Sequence, residues 1–380
     1  MNGNLGQLLT GAAMLAAAHL VPAAAAETTP LEIATQGYLF AGGKYIDAPG
    51  GKVMAGQAYV EYQIPKNRTH PYPIVMIHGG GQSGSNFTGT PDGREGWAQY
   101  FLKHGYAVYV VDQVGRGRSA LASVYGKTAI SPVATIEQRF TAPERSNMWP
   151  QAKLHTQWPG TGIAGDPAFD QFYAEQLPSI ADFPEQQALN RDAGAALLDK
   201  IGPAIVLIHS QSGAMVWPIA DARPNLVKAI VAVEPSGPPV YDVVYKGVPD
   251  YFSRGPLTKP WGITAAPLTY AGVTDASGLA FVEQEKSDGP ELLKCWRQKE
   301  PAHALTKLRD IPVVIISSEA SYHAPYDHCT AQYLTQAGVK NTHIRLAERG
   351  IHGNGHMMML EKNNLQIAAV IEDWLRNTLH

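Results

Sequence analysis

The stretch Ala204-Ile205-Val206-Leu207-Ile208-His209-Ser210-Gln211-Ser212-Gly213 is an apolar run that stops at a serine among small and polar neighbours. A continuous apolar run bounded by turn residues predicts a strand buried on both faces. A serine at the tip of such a strand, just before a helix, is the geometry that exposes a nucleophile above a parallel sheet. The usual form is G-x-S-x-G. Here Ile208 and Ser212 stand where the two glycines would be.

Working outward, further buried strands are predicted at Pro73 to Ile77, Tyr106 to Val111, Ala229 to Val233, Pro312 to Ile316 and Thr342 to Leu346, with an alternating edge strand over Gln57 to Ile64. Helical stretches separate them: Trp97 to His104, Glu185 to Ile201, one from about Gly213, Thr330 to Gln336, and a last one from near Met357 to about Thr378. Strands alternating with helices predict a mostly parallel sheet with helices on both faces. The periodicity breaks down over about 120–183 and again over 236–310, both too long for ordinary connections and therefore expected to be lid or cap insertions.

The chemistry follows from position. A serine hydroxyl needs a base to take its proton, and in this topology the base lies on the loop after the last strand. That loop reads Arg349-Gly350-Ile351-His352-Gly353-Asn354-Gly355-His356. His356 directly precedes the final helix and is the expected base, with His352 at the rim. The His-x3-His spacing also occurs in zinc sites, but those put both histidines on one helix face, which Gly353 and Gly355 oppose. No metal or other cofactor is expected.

An acid must accept the other imidazole N–H. Glu234 ends the strand after the serine strand and Glu319 ends the next, with Asp327 just beyond. Topology leaves Glu234 and Glu319 open. The rigid Pro235 and the Pro-rich turn after it lean toward Glu234. His78-Gly79-Gly80-Gly81 follows an early central strand, and its backbone N–H groups at Gly80 and Gly81, with that of Gln211, suit an oxyanion hole. Trp149, Trp158, Tyr241 and Trp261 in the insertions, with His352, are candidates to line the substrate pocket. Arg116 and Arg118 are expected to stabilise the turn after a strand.

These residues carry a resemblance. His78 to Ser83, Thr90-Pro91-Asp92-Gly93-Arg94, Gly105 to Gln113 with Gly115 to Ser119, and Gly353 to Met359 are similar to segments of secreted bacterial carboxylesterases of the esterase 713-like group in the α/β-hydrolase superfamily. The likeness spans most of residues 30–380. It implies an α/β-hydrolase fold and a serine esterase working through Ser210, His356 and Glu234, the last in preference to Glu319. Members of that group can have adjacent cysteines in the oxyanion loop, where this chain has Gly80-Gly81.

Composition sets the setting. The 380 residues are 45% hydrophobic with a net charge of −3. That charge is too small to suggest a nucleic acid or an anionic membrane surface as partner. A small-molecule ester is the expected partner, and a homodimer is compatible with the sequence. The apolar stretch Leu8 to Leu20, followed by Pro22 and Ala24-Ala25-Ala26, predicts a signal peptide over 1–26. The remainder, 27–380, is then one domain in the periplasm or secreted, with no stable membrane insertion after signal removal. In an oxidising compartment Cys295 and Cys329 are expected to pair.

Overall fold

The apolar runs pair into one eight-stranded sheet. In chain order its strands are β1 (Ile33–Ala48), β2 (Gly51–Pro65), β3 (Ile74–Ile77), β4 (Val108–Asp112), β5 (Ala204–His209), β6 (Val227–Val233), β7 (Val313–Ser317) and β8 (Asn341–Arg345). Their spatial order is β1-β2-β4-β3-β5-β6-β7-β8. The β1–β2 and β2–β4 pairs are antiparallel and all others parallel. The computed structural model describes residues 30–119 and 124–379. The predicted signal peptide lies outside them.

The reason the central strands lack alternation is visible in the packing. Val75, Ile77, Val206 and Ile208 point into one apolar cluster, while Ile74, Met76, Ile205 and Leu207 point into another. Both faces are therefore buried, which demands apolar residues at successive positions. On the first face lie α3 (Phe183–Ile201), α4 (Gly213–Ala222) and α5 (Asp327–Gln336); on the second lie α1 (Trp97–Lys103) and α6 (Asn364–Thr378). The first insertion contributes α2 (Pro167–Ala174), which begins with Asp166 accepting from the N–H groups of Ala168 and Phe169.

Three local expectations are corrected. The edge is a long hairpin, because β1 precedes the anticipated strand and pairs with it along its length. The last helix begins at Asn364 rather than near Met357. Arg94 donates to the carbonyls of Leu360, Glu361 and Lys362 and to Asn364 Oδ1, so these carbonyls hold a loop to the arginine of the Thr90-to-Arg94 motif. The second insertion is not wholly irregular, since Tyr241–Gly247 pairs with Tyr251–Leu257 and Phe281–Glu283 with Trp296–Gln298. Cys295 and Cys329 form the expected disulfide, with Cα atoms 5.1 Å apart, tying that insertion to α5.

Candidate active site

Ser210 leaves the end of β5 in a left-handed conformation, φ +55°, before the chain enters α4. A non-glycine residue with positive φ is held there by its surroundings. Ile208 does not obstruct the turn. It is fully buried in the sheet, opposite Ile77 on one side and Ala232 on the other. Ser212 turns inward, its hydroxyl donating to the Ile77 carbonyl (2.8 Å) and accepting from the His209 N–H (3.0 Å).

The need for small residues has moved to other positions. A Cβ on Gly79 would lie 2.8 Å from His209 Nδ1 and 3.0 Å from Ser210 Cβ, and one on Gly213 would lie 2.6 Å from Pro235 Cβ. Gly79 and Gly213 thus supply the close approach that the missing elbow glycines usually provide.

His356 comes from the loop after β8 and is buried. Its Nδ1–H donates to Glu234 Oε2 at 2.6 Å, and its carbonyl accepts from His209 Nε2 at 3.0 Å. Burial holds its pKa well below the ordinary histidine value, and His323 and Arg139 press in the same direction. The resting imidazole is therefore neutral, with Nε2 as acceptor. The Tyr322 hydroxyl donates to that Nε2 at 3.2 Å; burial raises the pKa of that phenol, and Ser210 is among the groups that lower it.

Glu234 also has a positive φ (+43°), at the end of β6. It accepts from the Ser318 N–H at 2.8 Å and the Ser321 hydroxyl at 2.6 Å, as well as from the Ser318 hydroxyl. Burial raises its pKa, with His323 and the serine donors working against that shift. The adjoining Ser236 N–H donates to the Ser210 carbonyl at 2.8 Å, which joins the acid turn to the serine turn.

A second imidazole–carboxylate pair lies beside the first. His323 stacks on His356 at 4.7 Å between ring centroids, 11° from parallel, and its Nδ1–H donates to buried Asp327 at 2.9 Å. Donor atoms of Glu234, His323 and His356 lie within 4.8 Å of one another, a spacing that could hold a metal ion. Hydrogen bonds occupy both Glu234 oxygens, both His356 ring nitrogens and His323 Nδ1. Glu319 and His352 form a separate pair, Nδ1 to Oε1 3.1 Å, and Glu319 also accepts from the Gly353 N–H at 2.9 Å.

The glycine loop faces the serine. The site of a Gly80 Cβ lies 3.7 Å from Gln211, and Gly81 has φ +76°. Neither glycine N–H donates within the described hydrogen bonds. Buried Arg116 donates to the Gly79 carbonyl at 2.8 Å and to the Gln211 side chain, spanning both sides of the loop. Arg118 binds Asp112 and Glu61 instead, as a turn residue.

Of the aromatic candidates, Trp149 is beside the site: its ring lies edge-on to Tyr245 and Tyr322, and its Nε1–H donates to the Ala320 carbonyl at 3.0 Å. The others are elsewhere. Trp158 is buried against Phe172, and Trp261 belongs to the core under the sheet. Tyr241 lines an outer groove with Trp296 and Arg254. His352 is solvent-facing at 62% side-chain exposure. Tyr322, His323, Phe140 and Arg139 were not singled out in the sequence. They sit in turns and in a π-helical segment, where no periodicity marks them. The i, i+4 spacing of His323 and Asp327, just past the end of β7, was the one available signal.

Comparison with known proteins agrees with the fold. A profile described as alpha/beta hydrolase family matches residues 74–370. The chain is 50% identical over 329 residues to "Probable secreted lipase phiG" of Fungal sp. (strain ATCC 74256), covering 86% of this chain and 88% of that one. It is also similar to a solved structure described as a novel bacterial esterase, with a TM-score of 0.62, 25% identity, and coverage of 93% and 98%.

Proposed function

The chain belongs to the α/β-hydrolase family, and from that premise we propose that it is a serine carboxylesterase with Ser210 as nucleophile, His356 as base and Glu234 as the acid that orients it. The observation that carries this reading is the buried 2.6 Å bond from His356 Nδ1 to Glu234, an acid whose turn is bonded to the Ser210 turn through the Ser236 N–H and the Ser210 carbonyl. The bond leaves Nε2 as the proton acceptor and stabilises the imidazolium once it forms.

Ser210 Oγ attacks the ester carbonyl and its proton passes to His356 Nε2. The oxyanion is stabilised by N–H groups of Gly80 or Gly81 and of Gln211, which Arg116 holds in place. His356 then protonates the leaving alcohol. In the second half His356 takes a proton from water as its oxygen attacks the acyl carbonyl, and returns that proton to Ser210 Oγ as the acyl–Oγ bond breaks and the acid leaves. The Tyr322 phenol, kept neutral by burial, occupies Nε2 until substrate arrives.

The substrate is a small to medium, partly apolar ester, and a lactone or amide would use the same groups. Secretion is supported by the description of the fungal relative as secreted and by the Cys295–Cys329 bridge. Hydrolysis of a p-nitrophenyl ester series by the wild type, set against lactone and amide controls, tests the activity. A wild type inactive on the whole panel would reject it.

A further inference from the structure

Arg139 differs from the arginines that build the fold. Arg94, Arg116, Arg118 and Arg223 each meet carbonyl or carboxylate acceptors. Arg139, partly buried in the π-helical segment Glu137–Thr141, donates to no acceptor and forms no ion pair among the described residues. Its guanidinium carbon lies 5.5 Å from the Tyr245 ring centroid and 5.9 Å from that of Tyr322. Tyr322 in turn carries the hydroxyl on His356 Nε2, and Phe140, the next residue, lies 5.2 Å from the His356 ring. The cation is therefore one ring removed from the reacting atoms.

The nearby buried carboxylates do not claim it. Glu234 is taken by His356, Ser318 and Ser321, and Asp327 by His323 and Ser317. Arg139 nevertheless lowers the proton affinity of both His356 and Tyr322, so its field reaches the site. A partly desolvated guanidinium whose donors lack a protein acceptor is suited to a planar anion, which it can grip with two parallel N–H bonds. A π-helical turn is also a common way to aim side chains at a functional site.

We infer that Arg139 is a specificity residue and that the preferred substrates are esters with a free carboxylate a few bonds from the scissile carbonyl. This rests on the serine esterase reading above. Ester cleavage itself is unchanged; the carboxylate is a handle that remains ionised throughout.

The test compares the mono-p-nitrophenyl ester of adipic acid with p-nitrophenyl hexanoate, six-carbon acyl groups that differ in the terminal carboxylate. The wild type should favour the adipate ester in kcat/KM. Arg139→Gln should lower kcat/KM for the adipate ester by about ten- to a hundredfold, the scale of a hydrogen bond to a charged group, mainly through KM. On the plateau above the acid limb of the pH profile, hexanoate hydrolysis should stay within about threefold of wild type, and Arg139→Lys should recover part of the adipate loss. Equal losses on both esters, or no change on either, would overturn the inference while leaving the esterase reading standing. If the wild type cleaves neither ester, the esterase reading itself fails.

Discussion

Glu234 and His356 stand 122 positions apart in the chain and meet at 2.6 Å in the interior, while Glu319 meets His352 and the Gly353 N–H at the rim. The two acids that topology alone left open thus have different partners. Glu234→Gln should lower kcat by about a thousandfold with the fold intact, since the amide no longer favours the imidazolium. Glu319→Gln keeps an oxygen for the Gly353 N–H and should cost no more than about threefold. Steady-state rates on one p-nitrophenyl ester compare them, and the reverse order would move the acid to Glu319.

In the proposed reaction, protonation of His356 sets the acid side of the pH profile. Its burial, reinforced by His323 and Arg139, lowers its pKa, and the base works only when neutral. Activity should therefore persist as pH falls through the ordinary histidine range and decline only below it. His323→Gln and Arg139→Gln each remove a positive influence and should move that decline to higher pH. The kcat/KM profiles, with Glu234 and Tyr322 unchanged, measure it. A midpoint above the ordinary histidine value in the wild type would contradict this picture.

Arg116 spans the two sides of the proposed oxyanion hole through Gly79 and Gln211. Arg116→Met removes the guanidinium from the Gly79 carbonyl, leaving it only His78 Nδ1–H at 2.9 Å, and frees the Gln211 side chain. We expect kcat to fall by about ten- to a hundredfold with little change in KM, because the oxyanion exists only after attack. A change confined to KM would argue against this role.

The first insertion is clamped to the loop that carries His356. His155 donates to Glu144 at 3.0 Å and to buried Glu361 at 2.8 Å, and Glu361 accepts from the Gly355 N–H. Burial alone would lower the His155 pKa, but the two carboxylates override it and raise it to about 9. The folded pKa lies above the unfolded value, so the stabilisation is complete below about 6.5 and is lost as pH rises through about 9. Thermal midpoints of the wild type should fall across that window, and His155→Gln should flatten the fall while lowering stability at neutral pH. An unchanged slope in the variant would remove His155 as its source.

The sheet was legible because its central strands are buried on both faces, which leaves uninterrupted apolar runs such as Ile74–Ile77 and Ala204–Ile208. The edge hairpin was only half legible. β1 is largely solvent-facing and interrupted by Gly37, Gly42 and Gly43, so it has neither a run nor a clean alternation. Ser210, His356, Glu234 and the glycine loop could be picked out as candidates because each sits at the end of a strand or just before a helix, places that topology predicts. Tyr322, His323 and Arg139 belong to segments whose position is fixed by tertiary contacts such as the Tyr245 hydroxyl on the Tyr322 carbonyl. Aromatic residues alone were a poor guide: Trp158 and Trp261 pack the interior, and Trp149 alone of the four aromatic candidates stands beside the site.

The proposed reaction stands on Ser210 as the activated nucleophile. Intact and peptide mass spectrometry after treatment with a fluorophosphonate measures this directly. One phosphonyl adduct is expected on the Ser210 peptide of the wild type, none in a folded Ser210→Ala variant, with loss of ester hydrolysis in that variant. An unlabelled Ser210 in active wild-type protein, or wild-type turnover by Ser210→Ala, would contradict it.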